Sequence, residues 1–327
     1  LGLPRYLRGV IEPMMPSRSP RRRRVDRPGW TGATYYGRSQ LKPAPFDNWV
    51  VGGYIFLAGV SGSSALLSAV AELVRGREAA GMARRGRYLS LLAPTIGAAL
   101  LVYDLHTPKR FYNMLRIAKK TSPMSIGTWI LMAFSAFAGI AAGAQIIADA
   151  TKGRRMQRLA TLAHVPAGIA GLGLSTYTAA LLSATSTPLW AAAPRWMAVR
   201  LGSSSVASGA AALALGERSP RNRRALDAIA AAALTAELAA TIASHRTYEQ
   251  RGVAGALAGP WGDVEKLGAT GVGVLLPLGL LALRRGHGGL AVLAGSLLLR
   301  VSIMAAGDRS ATDPTLSLQF TAADKQP

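Results

Sequence analysis

Runs of about 20 mostly apolar residues, the length needed to cross a bilayer, recur along this chain, and short arginine-rich segments separate them. Few folds remain open to such a sequence. Lipid offers the backbone no hydrogen-bond partners, so only closed helices or barrels span it. The runs are far too long for barrel strands. They predict an all-α polytopic membrane protein with eight transmembrane helices, over about 49–74, 86–105, 125–150, 156–183, 195–215, 224–245, 264–283 and 288–306. The 36 glycines suit helices that approach closely in lipid. Pro166 and Pro277 fall inside helices, which membrane bundles tolerate. No internal repeat is visible.

The net charge of +22 would suggest nucleic acid for a soluble chain. Here the cations sit in loops and in the N-terminal tail, so membrane topology and lipid phosphate account for them and no nucleic-acid partner is expected. There is no cysteine, hence no thiolate nucleophile and no iron–sulfur ligand from this chain. Residues 1–48, with Arg21 to Arg24 in a row, form a basic tail that is disordered or bound to a partner. Residues 49–307 form the membrane domain, and 308–327 a C-terminal tail. The first apolar run begins near Trp49, too late for a signal peptide.

With eight spans, the tail and the loop between the second and third helices share one face. Loop cations favour the opposite face as the inner one: Arg75, Arg77, Arg84, Arg85 and Arg87 alone crowd its first loop. The tetra-arginine tail favours the reverse, because exporting it is unfavourable. We expect a multi-pass protein of a prokaryotic cell membrane with that loop, the motif loop, facing the cytoplasm.

Ionisable groups inside membrane helices are costly and read as functional by default. At ~1.5 Å per residue, Asp47, Asn48, Asp104, Tyr177, Arg200, Glu237 and His245 converge in depth towards the motif face, whereas His164 lies nearer the other surface. Each also has a structural role open to it. Tyr177 can anchor at the interface, Arg200 can snorkel, Asp104 can pair with Arg110, and His164 can be a packed core histidine. Together they fit a shallow pocket for a polar-headed apolar ligand that exchanges protons, with a quinone as the obvious candidate. Glu237, His164 and Arg200 are candidates for a proton path.

The run from Asp104 to Arg116, DLHTPKRFYNMLR, followed by TSPMSIGTW over Thr121–Trp129, resembles the HDLGRPxRFxNMLR…TSPMSxGxW signature of the NrfD/polysulfide-reductase-type membrane subunits. Tyr35-Tyr36-Gly37-Arg38, Ser175-Thr176-Tyr177-Thr178 and Ala236-Glu237-Leu238 resemble the branch found beside formate-dehydrogenase-like subunits, and the similarity covers residues 33–315. Three positions depart from the signature: Tyr103 replaces a histidine, His106-Thr107 replaces Gly-Arg, and Ser39 replaces a proline. The resemblance implies an eight-helix, haem-free anchor that binds menaquinone or ubiquinone. Iron–sulfur clusters and molybdopterin would reside only in a ferredoxin-like partner and a catalytic partner subunit. It implies Tyr177 and Asp104 at the reacting end, with His106 a substitute, one helical turn away, for the histidine that Tyr103 replaces, and Asp47, Asn48, Ser122 and Pro123 around the quinone. Tyr36, Arg38, Lys109, Arg110, Asn113 and Arg116 would form the docking surface.

Two other classes compete. A di-haem cytochrome b-type anchor needs paired histidines at suitable depths, and only His106, His164, His245 and His287 exist. An ion-translocating transporter would use the Glu237, Arg200 and His164 set, but broken helices and inverted repeats are not evident.

Overall fold

A computed structural model describes residues 41–44, 46–105, 108–283, 285–286 and 288–321, with the backbone alone at Arg110, Gln319 and Thr321. The tetra-arginine run, Tyr36, Arg38, His106 and His287 lie outside the described residues.

Helix α1, Asn48–Arg75, is the hub of the bundle. The chain reverses at Gly76, whose φ of 53° is left-handed and suits glycine. It returns through α2, Ala80–Leu89, a wide helical turn at Ala93–Gly97, and α3, Ala98–Asp104. Among the described residues, seven helical stretches are long and apolar enough to cross a membrane, the first being the 57 residues Asn48–Asp104. Straight, those would measure ~85 Å, nearly three bilayer cores. They form a hairpin instead. A Cβ on Gly53 would meet Leu100 at 3.6 Å and one on Gly97 would meet Leu57 at 3.8 Å. Beyond those pairs, towards the reversal, the Ser61 hydroxyl accepts from the Ala93 N–H at 2.9 Å. The described residues therefore make eight passages.

The remaining passages are α5, Pro123–Thr151, α6, Arg154–Ser183, α8, Pro194–Leu215, and α9, Pro220–Gln250. Between α3 and α5 the motif loop carries the short α4, Tyr112–Arg116, and between α6 and α8 lies α7, Pro188–Ala192. The seventh passage comprises α10, Pro260–Asp263, a wide helical stretch over Val264–Leu275, and α11, Leu276–Ala282. The eighth is α12, Gly289–Thr312, and α13, Pro314–Thr321, follows. Helices α5, α7, α8, α9 and α10 all begin on proline, which has no N–H to leave unpaired at a helix start.

Small residues set the packing. A Cβ on Gly62 would lie 2.4 Å from the Gly171 carbonyl oxygen, and one on Gly171 would lie 2.5 Å from that of Gly62. Helices α1 and α6 thus touch backbone to backbone, the contact that drives association where no hydrophobic effect is available. Trp190 of α7 fills the space over Gly307 and donates its indole N–H to the Ile303 carbonyl at 2.9 Å.

Three boundaries differ from expectation. The second passage starts at Ala80, so Arg87 is no loop cation: it is fully buried and bonded to Glu72, Gln145 and Thr161. Residues 308–312 and 314–321 are helical rather than a tail, and Leu316 and Phe320 bury into the core. At the other end Ala44 is buried, with its N–H on Asp308 Oδ1 at 2.8 Å, so the last residues of the N-terminal segment are docked.

Candidate functional site

Below the motif loop, α1, α3, α5 and α6 enclose a cavity of about 110 Å³. Three helices present it with stripes of helical period. These are Gly97, Leu101, Asp104 and Leu105 in and flanking α3, Met124, Gly127, Thr128 and Leu131 in α5, and Leu174, Tyr177, Thr178 and Leu181 in α6. Phe46, Tyr54, Ala58, Ala93 and Met114 complete the wall. Asp104 and Tyr177, from helices distant in sequence, therefore line one chamber. The Tyr177 ring packs against Gly127: a Cβ there would be 1.9 Å from Cζ and 2.3 Å from the hydroxyl oxygen.

An apolar groove of about 270 Å³ adjoins this cavity between α3 and α5, sharing Leu101, Leu105, Met114, Thr128 and Leu131 with it. Phe111 and Leu115 are exposed at its rim. Taken together, the two reach the ~300–1,000 Å³ range of small-molecule sites.

The other expected site residues are placed differently. Asp47 is exposed and caps α1, its Oδ1 accepting from the Trp49 and Val50 N–H groups at 3.0 Å each. It reaches the site through its backbone, donating to Asp104 Oδ1 at 3.3 Å. Asn48 does not line the cavity, yet its Oδ1 is buried with no partner among the described residues. Ser122 turns its hydroxyl onto the Ser125 N–H at 3.4 Å to cap α5, and Pro123 holds the first helical position. Neither lines the cavity, since a cap faces its own helix amides; Met124, Gly127 and Thr128 serve instead. Tyr54 escaped the sequence reading, although it lies seven residues beyond Asp47 and so on the same helix face.

Two buried polar clusters lie elsewhere. Near the face opposite the motif loop, His164 bonds Ser68 through Nε2 at 3.1 Å and Glu72 through Nδ1 at 3.3 Å, and Arg87 pairs with Glu72. In the second cluster Arg200 is 2% exposed, so it does not snorkel, and it pairs with Glu265, which also meets His245 Nε2 at 3.2 Å. Glu237 faces Arg200, Arg300 and Ser204. His164 thus sits apart from Glu237 and Arg200, against the grouping expected. Glu265 and Arg300, both buried, were missed.

On the motif loop Lys109 and Arg116 are exposed and Asn113 is half-buried. Large apolar side chains are exposed around them, with Tyr103 at 76% and Tyr112 at 54%.

The sequence profile of the family described as polysulphide reductase, NrfD, matches residues 39–309. The C subunit of the polysulfide reductase of Wolinella succinogenes is 28% identical over 90 residues, which is 27% of this chain and 28% of that protein. The aligned stretch is therefore short on both sides, whereas the family profile runs through all eight passages. With its multi-pass helical architecture and the motif cavity between α3, α5 and α6, this chain belongs to the NrfD family of membrane proteins.

Proposed function

We propose that this chain is the quinone-reactive membrane subunit of a respiratory oxidoreductase. It would pass electrons between the quinone pool and a docked ferredoxin-like iron–sulfur subunit, which connects to a molybdopterin catalytic subunit. The observation that carries this reading is the cavity shared by Asp104 and Tyr177, with an apolar groove leading from it. The residues fit the group: the chamber offers phenol and carboxyl functions to a ring oxygen, and the groove accepts an isoprenoid tail. A bound quinone would supply two-electron, two-proton redox chemistry. The Tyr177 hydroxyl would donate a hydrogen bond to a ring oxygen in the chamber. Asp104, at the end of α3, would hold or release a proton at the membrane surface, and the leucine walls would exclude water. The exposed aromatics of the motif loop, with Lys109 and Arg116, would receive the iron–sulfur partner, with this face towards the cytoplasm. Both ring nitrogens of His164, and Nε2 of His245, are held by side chains, which supports a haem-free anchor over a di-haem one.

Tyr177→Phe in the purified complex should cut quinone turnover by roughly 10²-fold, the worth of one positioned proton donor. The partner subunits should still copurify. Unchanged kinetics would remove Tyr177 from the site.

A second reading adds proton movement across the bundle. It is favoured by the serines between the two buried clusters. Arg300 donates to Ser205 Oγ at 2.8 Å, Ser63 and Ser175 share a bond of 3.1 Å, and Ser68 meets His164. In proteoliposomes, quinone turnover would then take up and release protons on opposite sides, and His164→Gln would abolish release without stopping turnover. Strictly one-sided proton chemistry in the unaltered protein would end this reading.

A further inference from the structure

The seam between α5 and α6 holds a larger groove, of about 630 Å³, separate from the cavity just described. Its wall is almost wholly hydrocarbon, and Trp129 and Ile169, 43% and 67% exposed, lie along it. Its mouth is different: Lys119 and Lys120 stand there, and neither forms an ion pair with any described residue. The segment carrying them is fixed in place. The Ser125 hydroxyl donates to the Ile117 carbonyl at 2.8 Å and accepts from the Lys119 N–H at 2.9 Å. Trp129 donates its indole N–H to the same carbonyl at 3.3 Å.

The groove runs from this basic mouth down to Phe137 and Pro166. From Ser125 to Phe137 the helix rises ~18 Å, about the depth of one leaflet of a ~30 Å hydrocarbon core. Pro166 lacks the N–H that would bond the Leu162 carbonyl, which loosens α6 where the groove ends. A slot one leaflet deep, apolar along its length and doubly cationic at the interface, matches one class of molecule.

We propose that this seam binds a phospholipid with an anionic headgroup. The phosphate lies between Lys119 and Lys120, and an acyl chain follows Trp129 towards Phe137. Charge complementarity selects this occupant over a quinone, whose neutral head has no use for two ammonium groups. The proposal is independent of the quinone reading, since the two sites share no lining residue.

Trp129 supplies the probe. The full-length protein in detergent is titrated with phosphatidylglycerol or phosphatidylcholine carrying brominated acyl chains. Quenching assigned to Trp129 is the difference between the unaltered protein and Trp129→Phe. Phosphatidylglycerol should quench at about tenfold lower concentration than phosphatidylcholine, as expected for two interfacial lysines. Lys119→Gln/Lys120→Gln should bring that ratio to about one, and Lys119→Arg/Lys120→Arg should keep it. Ala133→Trp, on the exposed lining, should weaken quenching by both lipids, measured against its own Trp129→Phe control. Equal quenching by the two lipids in the unaltered protein overturns the proposal, as does a preference that survives loss of both charges. Displacement by a short-chain ubiquinone without any headgroup preference would assign the groove to quinone instead.

Discussion

Gly127→Ala is expected to lower quinone turnover about 100-fold, as much as removing the Tyr177 hydroxyl itself. The Tyr177 ring occupies the space where a side chain at 127 would begin, with Cζ 1.9 Å from the Cβ position. One methyl group must therefore push the phenol out of the cavity, and a displacement near 1 Å at a reacting group costs on the order of 10² in rate. The control lies on the same helix. Gly139 and Gly143 of α5 face open space, so alanine there should leave turnover intact and add the slight stability of a better helix former. If Gly127 acts through Tyr177, then Gly127→Ala/Tyr177→Phe should be no slower than the worse single variant, because coupled sites do not add. Full activity in Gly127→Ala, or plain additivity in the double variant, would separate the glycine from the tyrosine.

That glycine also shows what a sequence can and cannot disclose. The SPMSxGxW segment marked Gly127 as part of a motif, but not that the glycine serves a tyrosine fifty residues away on another helix. The passages themselves were legible, because lipid imposes length and apolarity on each one; α1 and α5 begin and end within two residues of expectation. The break in the second passage went unread, although Pro94 in the wide turn at Ala93–Gly97 removes a helix N–H and marks it. Asp104 and Tyr177 could be placed in depth by counting turns. Asp47, Ser122 and Pro123 could not be told from ligands, because a cap residue and a pocket residue at a helix start have the same sequence position. Arg87 was misplaced for a related reason. It sits in a run of arginines that reads as solvated, and only the fold brings Glu72, Gln145 and Thr161 to it.

Glu265 illustrates the same limit with a larger energetic consequence. At the apparent start of the seventh passage it passes for a surface residue, yet it is 1% exposed and pairs with Arg200 and His245. Around it the bundle gathers Arg200, Arg300 and Glu237 from three other helices, two cations against two acids. Arg300 is further held by the hydroxyls of Ser204, at 3.3 Å, and Ser205, at 2.8 Å. Glu265→Ala leaves Arg200 without its carboxylate in a medium where an unpaired charge is expensive. Its expected cost is about 3–5 kcal/mol of unfolding free energy, to be measured by titrating folded protein in mixed micelles with a denaturing detergent. The pair need not be stabilising in itself, because the desolvation of two ions can offset their attraction. Arg200→Met/Glu265→Leu should therefore recover most of the loss, and a double variant as unstable as Glu265→Ala would show that Glu265 contributes through contacts other than Arg200. If the double variant is stable but has lost proton release, these charges serve transport rather than folding; if it retains release, the path runs elsewhere in the bundle.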